Sequence, residues 1–573
     1  MTVFRVWAPL AGAVELELGE RCVAMVPAGG GWHELDVPEA GAGSDYRFVL
    51  DGGRPLPDPR SSWQPAGVDG PSRVVDHDAF AWTDDGWRGV HLPSAVIYEL
   101  HVGTFTEEGT FDAVIAKLDH LVDLGVTAVE LLPVAQFPGE RGWGYDGVDL
   151  YAPHAAYGGP DGLKRLVDAC HARRLAVVMD VVYNHLGPAG NYLGQFGPYF
   201  TDRYATPWGA AVNFDGEGSD EVRAFVVDNA LQWLRDYHCD GLRLDAVHGI
   251  VDTSATHILE QLAVRVEELG AALGRPLFLV AESDLNDPRV VRRREVGGYG
   301  MDAQWSDDFH HALHAVLTGE RDGYYADFGS LGQLATALER AFVYGGEYSP
   351  YRGRSHGRRD PALGGQRFLG YLQNHDQIGN RAQGDRSAAL MSVGRLYVAA
   401  ALVLAGPFVP MLFQGEEWGA TTPFQYFTDH EDPELGRAVS EGRRREFASF
   451  GWDPVAVPDP QDRVTFERSK LNWGELEREP HRGLLEWHRH LIRLRQEVPA
   501  LSDGRLDRVH CRYDEAEGWL VVERGAAAVA ANLGAADVEL AVRGRVLAAS
   551  GGALPAEGGV RLAPDSVAVL AET

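Results

Sequence analysis

The sequence predicts an α/β protein whose centre is a closed (β/α)8 TIM barrel, with a β-sandwich domain before it and another after it. Short strands separated by turns come first, eight apolar strands alternating with helical stretches follow, and short strands return at the end. Near-continuous apolar strands joined by helices are typical of a parallel sheet buried on both faces. We place the three domains at residues 1–92, 93–494 and 495–573. An open, doubly wound sheet is the alternative for the central segment.

Residues 1–92 are predicted to form an immunoglobulin-like β-sandwich. Apolar and polar residues alternate in four short segments, which read FRVWAP, VELELG, WHELDV and YRFVLDG. Period-two alternation interrupted by close turn signals is typical of a half-buried strand in a sandwich. The proline-rich stretch PLPDPRSSWQP leads out of these strands. The same pattern returns after residue 495, in GWLVVERG, AAVAANL, VELAVRG and SVAVLAE, and predicts a C-terminal β-sandwich.

The barrel prediction for residues 93–494 depends on eight apolar strands. In chain order they are AVIYELHVGTF, AVELLPV, LAVVMDVV, GLRLDAV, PLFLVAES, AQWSDDF, FLGYLQNHD and FVPMLFQGEE. The stretches between them have helical periodicity; in SDEVRAFVVDNALQWLRDYH, for example, apolar residues recur at every third or fourth position. Residues 186–218 are predicted to be a long functional loop, because the segment is rich in Gly, Pro, Tyr and Phe.

Composition excludes several classes of partner and site. The formal net charge of −31 argues against a nucleic acid and against an anionic membrane surface. The four cysteines include no Cys-x-x-Cys pair, so we expect neither a zinc knuckle nor a disulfide framework. Free thiols suit a reducing compartment. The first residues lack the pattern of a signal peptide, and no uninterrupted run of about eighteen apolar residues occurs. The sequence therefore predicts a cytoplasmic protein.

Polar side chains follow four of the predicted barrel strands at the point where each strand ends. They are Asp180, Asn184 and His185 after the third strand, Arg243, Asp245 and His248 after the fourth, Glu282 after the fifth, and Asn374, His375 and Asp376 after the seventh. The carboxyl ends of barrel strands build the active site in enzymes of this architecture. A single acidic residue at a strand end is more often a cap or turn residue, but four such motifs in order favour one catalytic site.

Arg243 and Asp245 lie two positions apart on one strand, so their side chains point to the same face. We expect the guanidinium to lower the pKa of Asp245 and keep it ionised. Glu282 follows the apolar run LFLVA, so we expect it to retain its proton, helped by the nearby charge of Asp376. One charged and one protonated carboxyl are the pair that glycoside hydrolysis needs. A purely structural ion pair is the alternative for Arg243 and Asp245.

In order and spacing, these four motifs resemble the signature regions of glycoside hydrolase family 13, the α-amylase family. The resemblance implies that Asp245 is the nucleophile, Glu282 the proton donor and Asp376 the transition-state stabiliser of a retaining glycosidase. It also implies a set of substrate-binding residues, which are Tyr145, Asp146, His185, Arg243, His248, His375 and Asn380. After the sixth strand, Asp307, Asp308, His310 and His311 could bind acceptor-side hydroxyls, or could simply begin a helix. Asp180 and Asn184 are expected to support the site.

Longer stretches are similar to one hydrolytic branch of this family. They are GWGYDGVDLYAPHAAYGGPDGLKRLVDACH, YNHLGPAGNYLGQFGPYFTDRYATPWGAAVNFDG, AQWSDDFHHALHAVLTGERDGYYADFG and PFQYFTDH. This similarity implies hydrolysis of the α-1,4 bond next to the terminal trehalose of a maltooligosyl trehalose, with maltooligosyltrehalose synthase as the pathway partner. It implies no cofactor. The first domain resembles the carbohydrate-binding-module-like domain of this branch. A glycogen branching enzyme and a non-catalytic carbohydrate-binding protein are the alternatives.

Overall fold

In the computed structural model, which describes residues 2–449 and 457–572, the centre of the chain is a closed parallel barrel. Its eight strands are β1 (Ile97–Leu100), β2 (Ala128–Leu131), β3 (Ala176–Val181), β4 (Gly241–Leu244), β5 (Phe278–Ala281), β6 (Ala303–Trp305), β7 (Phe368–Gly370) and β8 (Val409–Phe413). Each strand pairs with the next along the chain, and β8 pairs with β1. The (β/α)8 prediction is therefore confirmed, and an open sheet is excluded.

The barrel strands are buried along their whole length because helices cover the outer face while side chains fill the interior. The register places polar side chains of neighbouring strands side by side. Glu99 of β1 is level with Glu130 of β2, and Asp180 of β3 is level with Arg243 of β4. Inward-facing polar residues near the carboxyl ends of the strands thus come together in space.

Helices connect the barrel strands and cover the barrel. The α-helices are Val102–Phe105, Phe111–Ile115, Leu118–Leu124, Gly159–Ala172, Leu193–Phe196, Ser219–Arg235, Ile258–Leu273, Asp307–Thr318, Leu331–Arg340, His375–Gly379, Ser387–Leu390, Val393–Leu404, Pro433–Ser449, Arg463–Arg468, His481–Glu497 and Pro499–Ser502. Ser219–Arg235 buries the apolar side chains whose periodicity predicts it, including Phe225 and Leu234.

Antiparallel sheets flank the barrel on both sides in sequence. At the N-terminus one sheet has the order Thr2–Trp7, Trp32–Val37, Val26–Gly29, and a second has the order Arg21–Ala24, Val14–Leu18, Asp45–Leu50, Pro55–Leu56, with Ser72–Arg73 also paired to Asp45–Leu50. At the C-terminus one sheet has the order Val509–Asp514, Trp519–Arg524, Ala527–Asn532, Ser566–Ala571, Arg545–Ala549, and a second has the order Val538–Ala541, Gly559–Leu562, Leu554–Ala556. The prediction of β-rich regions beside the barrel is confirmed.

Two β-hairpins are inserted in the segments that connect the barrel strands. The predicted loop 186–218 contains the helical turn Leu193–Phe196 and a hairpin of Phe200–Thr206 with Gly209–Val212, so it is more ordered than a loop. A smaller hairpin pairs Tyr348–Ser349 with Arg354–Ser355. A further short pair, Ala135–Gln136 with Asp149–Pro153, follows β2. These connections carry side chains to the mouth of the barrel.

A buried charge cluster ties the segment before β1 to the barrel. Asp84 accepts from Nδ1 of His171 at 2.7 Å and from Nδ1 of His238 at 2.8 Å. Nε2 of His171 in turn lies 3.0 Å from Asp240, which also accepts from Arg275 at 2.8 Å. Each carboxylate is satisfied by cationic or ring N–H donors, so the cluster stabilises the junction.

All four cysteines are free thiols. Among residues 2–449 and 457–572, none of the helices has the length and apolar character needed to cross a membrane.

Candidate active site

A cavity of about 700 Å³ opens at the carboxyl ends of the barrel strands. Its lining includes Asp245 after β4, Glu282 after β5 and Asp376 after β7. Three carboxyls that lie far apart in sequence thus face one cavity. Nine other residues that the sequence analysis expects to bind substrate also line it, and they are Tyr145, Asp146, His185, Arg243, His248, Asp307, His311, His375 and Asn380.

The guanidinium of Arg243 is the electrostatic centre of the site. Its Nη1 donates to both carboxylate oxygens of Asp180, at 2.9 and 2.8 Å, and to Oδ1 of Asp245 at 3.0 Å. Its Nη2 lies 2.8 Å from Oε2 of Glu282. The side chain is fully buried, and its Cζ atom lies 4.2 Å from the ring centroid of Trp305. One cation therefore holds carboxylates from three strands in fixed relative positions.

The backbone after β4 adds a second donor to Glu282. Ala246 has a φ of +38° and a ψ of +50°, a left-handed conformation that a residue with a side chain adopts at a cost of about 1–2 kcal/mol. In this conformation its N–H donates to Oε2 of Glu282 at 2.7 Å. The strained turn therefore couples the backbone beside Asp245 to the carboxylate of Glu282.

The structure reverses the expected directions of the pKa shifts of the two central carboxyls. Burial and the neighbouring charge of Glu282 raise the pKa of Asp245 well above its ordinary value, although Arg243 opposes them. Burial alone would raise the pKa of Glu282, but the charge of Arg243 and the N–H of Ala246 outweigh it and hold that pKa below its ordinary value. Both pKa shifts are therefore opposite in direction to those that the sequence predicts. The cause is that Arg243 is shared, and Glu282 has the additional backbone donor.

Tyr145 and His375 form a stacked pair on the floor of the cavity. Their ring centroids are 5.2 Å apart with planes 20° from parallel. The Tyr145 hydroxyl lies 2.7 Å from Asp180 and 2.8 Å from Nε2 of His375, while Nδ1 of His375 lies 2.5 Å from Glu99. A continuous line of hydrogen bonds thus joins Glu99 on β1 to Arg243 on β4.

Asp376 is held by an amide and a neighbouring cation. Asn380 donates from Nδ2 to Oδ1 of Asp376 at 2.7 Å, and its own Oδ1 accepts from Nη1 of Arg443 at 2.9 Å. Burial raises the pKa of Asp376, and the charges of His375 and Arg443 oppose that rise. The helix Pro433–Ser449 therefore contributes a cation to a site that is otherwise built from barrel strands.

The hairpin Phe200–Thr206/Gly209–Val212 brings Trp208 to the rim of the cavity. Its ring stacks on His185, with centroids 5.4 Å apart and planes 11° from parallel, and remains 41% exposed. Nε2 of His185 lies 3.0 Å from the carbonyl oxygen of Tyr145, and burial lowers the pKa of His185 to about 4. His185 is thus neutral, and its Nε2–H donates to that carbonyl oxygen. The indole of Trp208 therefore presents a flat apolar face at the rim, beside the exposed ring of His248.

The helix Asp307–Thr318 presents only one of its faces to the cavity. Asp307 and His311, four positions apart, line the cavity, and Asp307 also accepts from the Tyr371 hydroxyl at 2.6 Å. Asp308 instead accepts from Asn286 and from two backbone N–H groups, and His310 is fully buried with its Nδ1 2.7 Å from the Leu372 carbonyl. The expectation that Asp308 and His310 bind substrate is therefore corrected, because they point to other faces of the helix.

Several residues that line the cavity were not among the predicted site residues. They are Trp143, Ala246, Trp208, Asp284, Tyr324, Tyr351, Arg352, Gln377, Tyr426, Val439 and Arg443. Asp284 lies two positions after Glu282, so its placement could be read from the strand. Tyr351 and Arg352 come from a short hairpin and Arg443 from a distant helix, where no local motif marks them. Arg352 pairs with Asp284 at 3.0 Å across the rim.

Asn184 is buried, and neither atom of its side-chain amide has a hydrogen-bond partner among the described residues. No group of three or more His, Cys, Asp or Glu side chains in the described ranges is arranged to hold a metal ion.

Comparisons with known proteins agree with this geometry. A model of the alpha amylase catalytic domain matches residues 75–197, and a model of a domain of unknown function, DUF3459, matches residues 504–569. A malto-oligosyltrehalose trehalohydrolase of Arthrobacter ramosus is 53% identical over 572 residues, which are 99% of this chain and 99% of that protein. The crystal structure of a Salmonella typhimurium protein described as an alpha amylase has a TM-score of 0.92 and 42% identity, and covers 100% of this chain and 97% of that one.

A 1,4-alpha-glucan branching enzyme of Corynebacterium jeikeium is more distant. It is 30% identical over 73% of this chain and 61% of its own length. The trehalohydrolase match is the stronger of the two, because its identity is above one half along essentially the whole chain. The barrel, whose strand ends carry the three carboxyls, agrees with it. The chain belongs to the malto-oligosyltrehalose trehalohydrolase family, within the α-amylase family of glycoside hydrolases.

Proposed function

We propose that this protein is a retaining glycoside hydrolase that cleaves the α-1,4-glucosidic bond next to the terminal trehalose of a maltooligosyl trehalose and releases trehalose. The observation that carries the proposal is the convergence of Asp245, Glu282 and Asp376 on one cavity in a chain that is 53% identical to a trehalohydrolase. The cavity, about 700 Å³, is large enough for several sugar units.

Asp245 is the nucleophile and Glu282 the proton donor of the first step. A carboxylate oxygen of Asp245 attacks the anomeric carbon of the maltooligosyl unit, and the bond from that carbon to O4 of trehalose breaks. Glu282 gives its proton to O4, so trehalose leaves neutral and the sugar chain remains esterified to Asp245. Asp376, tied to Asn380, accepts hydrogen bonds from sugar hydroxyls as positive charge develops at the anomeric carbon.

Water completes the reaction. Glu282, now ionised, takes a proton from a water molecule whose oxygen attacks the same anomeric carbon, and the ester bond to Asp245 breaks. The maltooligosaccharide leaves with its original α configuration, and Glu282 regains its proton. In this second step Arg243, which contacts both carboxylates, stabilises the charge that returns to Asp245.

The first step needs an ionised Asp245 and a protonated Glu282, whereas the surroundings in the structure raise the pKa of Asp245 and lower that of Glu282. The glycosidic oxygen is a hydrogen-bond acceptor and favours a protonated Glu282. The electron-poor anomeric carbon favours an ionised Asp245. A bound sugar therefore favours the proton on Glu282 over Asp245, and productive protonation becomes a property of the complex.

Recognition of trehalose as the leaving group is assigned to the rim. Trp208 offers a flat apolar face for the sugar beyond the scissile bond. Asp307 and His311 provide polar atoms to the same cavity from the helix Asp307–Thr318. A glucan transferase would use the same three carboxyls, so these rim contacts, rather than the catalytic residues, distinguish the hydrolase from a branching enzyme.

One assay separates the candidate functions. The protein is incubated with maltotriosyl trehalose and, in parallel, with amylose, and the products are separated by chromatography. Release of trehalose with maltotriose supports the hydrolase. New α-1,6 branches on amylose with no trehalose would instead identify a transferase, and turnover of neither substrate would identify a binding protein.

Three further assignments belong with this proposal. We propose domain boundaries after residues 92 and 494; the last paired N-terminal strand ends at Arg73, the helix His481–Glu497 spans the second boundary, and the C-terminal strands begin at Val509. Maltooligosyltrehalose synthase, which would supply the substrate, is the proposed pathway partner. The cytoplasmic location stays a prediction from the sequence.

A further inference from the structure

We propose that Glu99 is a positioning residue for the reaction: it holds His375 as a doubly protonated imidazolium, and this fixed positive charge keeps Tyr145 and Asp180 in place beneath the bound sugar. The inference rests on the proposed hydrolase function for its kinetic test, although its spectroscopic test needs no turnover.

Glu99 grips His375 at two points. Its Oε1 lies 2.5 Å from the ring nitrogen Nδ1, and its Oε2 accepts the backbone N–H of His375 at 3.1 Å. Glu99 is 1% exposed and His375 is 2% exposed, so solvent does not compete for these atoms. An ordinary imidazole is about two pKa units more basic than an ordinary glutamate, so the proton between them belongs to Nδ1.

The second ring nitrogen of His375 must also donate. The Tyr145 hydroxyl has one proton and lies 2.7 Å from Asp180 and 2.8 Å from Nε2 of His375. Asp180 already accepts from Arg243 with both oxygens, so it is a carboxylate and Tyr145 donates to it. The Tyr145 oxygen is then an acceptor for Nε2–H, and His375 carries protons on both nitrogens.

The charges that face His375 favour this assignment. Burial disfavours the cation, but Glu99 outweighs it and raises the pKa of His375 above its ordinary value. Asp376 favours the cation and Arg243 opposes it. The other ionisable groups close to His375 are Asp180, Glu282 and His101. The two carboxylates also favour a cation, and burial lowers the pKa of His101 to about 4, which leaves it neutral.

Glu130 supplies a matched control on the neighbouring strand. It is level with Glu99 in the β1–β2 register and is 1% exposed. Neither of its carboxyl oxygens has a hydrogen-bond partner among the described residues. Burial and the charge of Glu99 raise the pKa of Glu130 well above its ordinary value. Replacing Glu130 with Gln therefore alters a buried carboxyl that makes no hydrogen bond, whereas the same replacement at Glu99 removes the carboxylate that holds His375.

The kinetic test compares the pH dependence of kcat/KM for trehalose release. In E99Q we expect the basic limb to move to lower pH by about one unit or more, because the cation loses its partner. E130Q should keep the wild-type limb, and E99D, which retains the charge, should lie closer to wild type than E99Q. An equal loss of activity at every pH in E99Q, or the same shift in E130Q, would overturn the proposal.

A double variant tests whether Glu99 acts through His375. In an H375Q background, adding E99Q should not move the limb further; a shift that persists there would mean that Glu99 acts directly on the carboxyls. Independently, the ring nitrogens of His375 are observed by NMR in protein labelled with ¹⁵N-histidine, with H375Q to identify the signals. Two protonated nitrogens at pH 7 support the imidazolium in the folded wild type, and a neutral ring overturns it whether or not trehalose is released.

Discussion

Replacing Arg243 with Lys tests whether the guanidinium organises the catalytic carboxyls, because lysine keeps the positive charge but lacks the two terminal nitrogens that contact them. The guanidinium contacts Asp180, Asp245 and Glu282 through two separate nitrogens. A lysine ammonium is a single point and cannot span these positions. We expect at least two of the charge-assisted hydrogen bonds to be lost, each contributing about 1.5–3 kcal/mol.

The magnitude follows from those bonds. If the loss of about 3–6 kcal/mol is expressed in the transition state, kcat falls by about 10²- to 10⁴-fold. The assay is the initial rate of trehalose release from maltotriosyl trehalose over a range of substrate concentrations. Since the contacts orient reacting groups, kcat should fall more than KM rises.

Arg495→Lys is the control for the cost of shortening a buried arginine. Arg495 is 4% exposed and donates to the carbonyl oxygens of Leu404, Gly406, Leu501 and Phe408, away from the cavity. That variant should unfold at a lower temperature yet keep the wild-type kcat. If Arg243→Lys instead lost less than tenfold in kcat while folding normally, the guanidinium would not be organising the carboxyls and the reasoning would be refuted.

Three further predictions follow. Asp245→Asn should abolish trehalose release while the unfolding temperature stays close to wild type; near wild-type activity would reject the assignment of Asp245 as the nucleophile. Trp208→Ala should raise KM for maltotriosyl trehalose by about three- to tenfold with little change in kcat, since one stacking surface is lost, and an unchanged KM would rule out the platform. Burial raises the pKa of Asp84, but the hydrogen bonds and charges of His171 and His238 outweigh it and hold that pKa below its ordinary value. The ionised Asp84 therefore stabilises the folded protein at pH values above the pKa of an unfolded aspartate, and this contribution to the free energy of unfolding is lost as the pH falls towards the folded pKa. Asp84→Asn should therefore unfold at a lower temperature than wild type at pH 7, by scanning calorimetry, with a gap that narrows towards pH 3; a gap that stays constant would contradict the argument.

The central pattern of the protein is local in sequence, which explains why it could be predicted. Each barrel strand is a short apolar run, and the polar residue that ends it is within a few positions, as with LFLVA and Glu282. Parallel strands in a closed barrel share one carboxyl end, so residues at those ends meet without any further information. Arg243 and Asp245 on one face follow in the same way from strand alternation.

What the sequence by itself determined was therefore the barrel, the flanking sheets and the convergence of Asp245, Glu282 and Asp376. Only the tertiary structure decided how Arg243 is shared, which reversed the expected directions of the pKa shifts of Asp245 and Glu282. It also brought side chains to the rim from the hairpin 200–212 and the helix Pro433–Ser449, and turned His310 away. The physical reason is that alternation and periodicity fix which face a side chain takes within its own element, whereas charge sharing, burial and pKa depend on neighbours from other strands, whose distances are set only when the barrel closes.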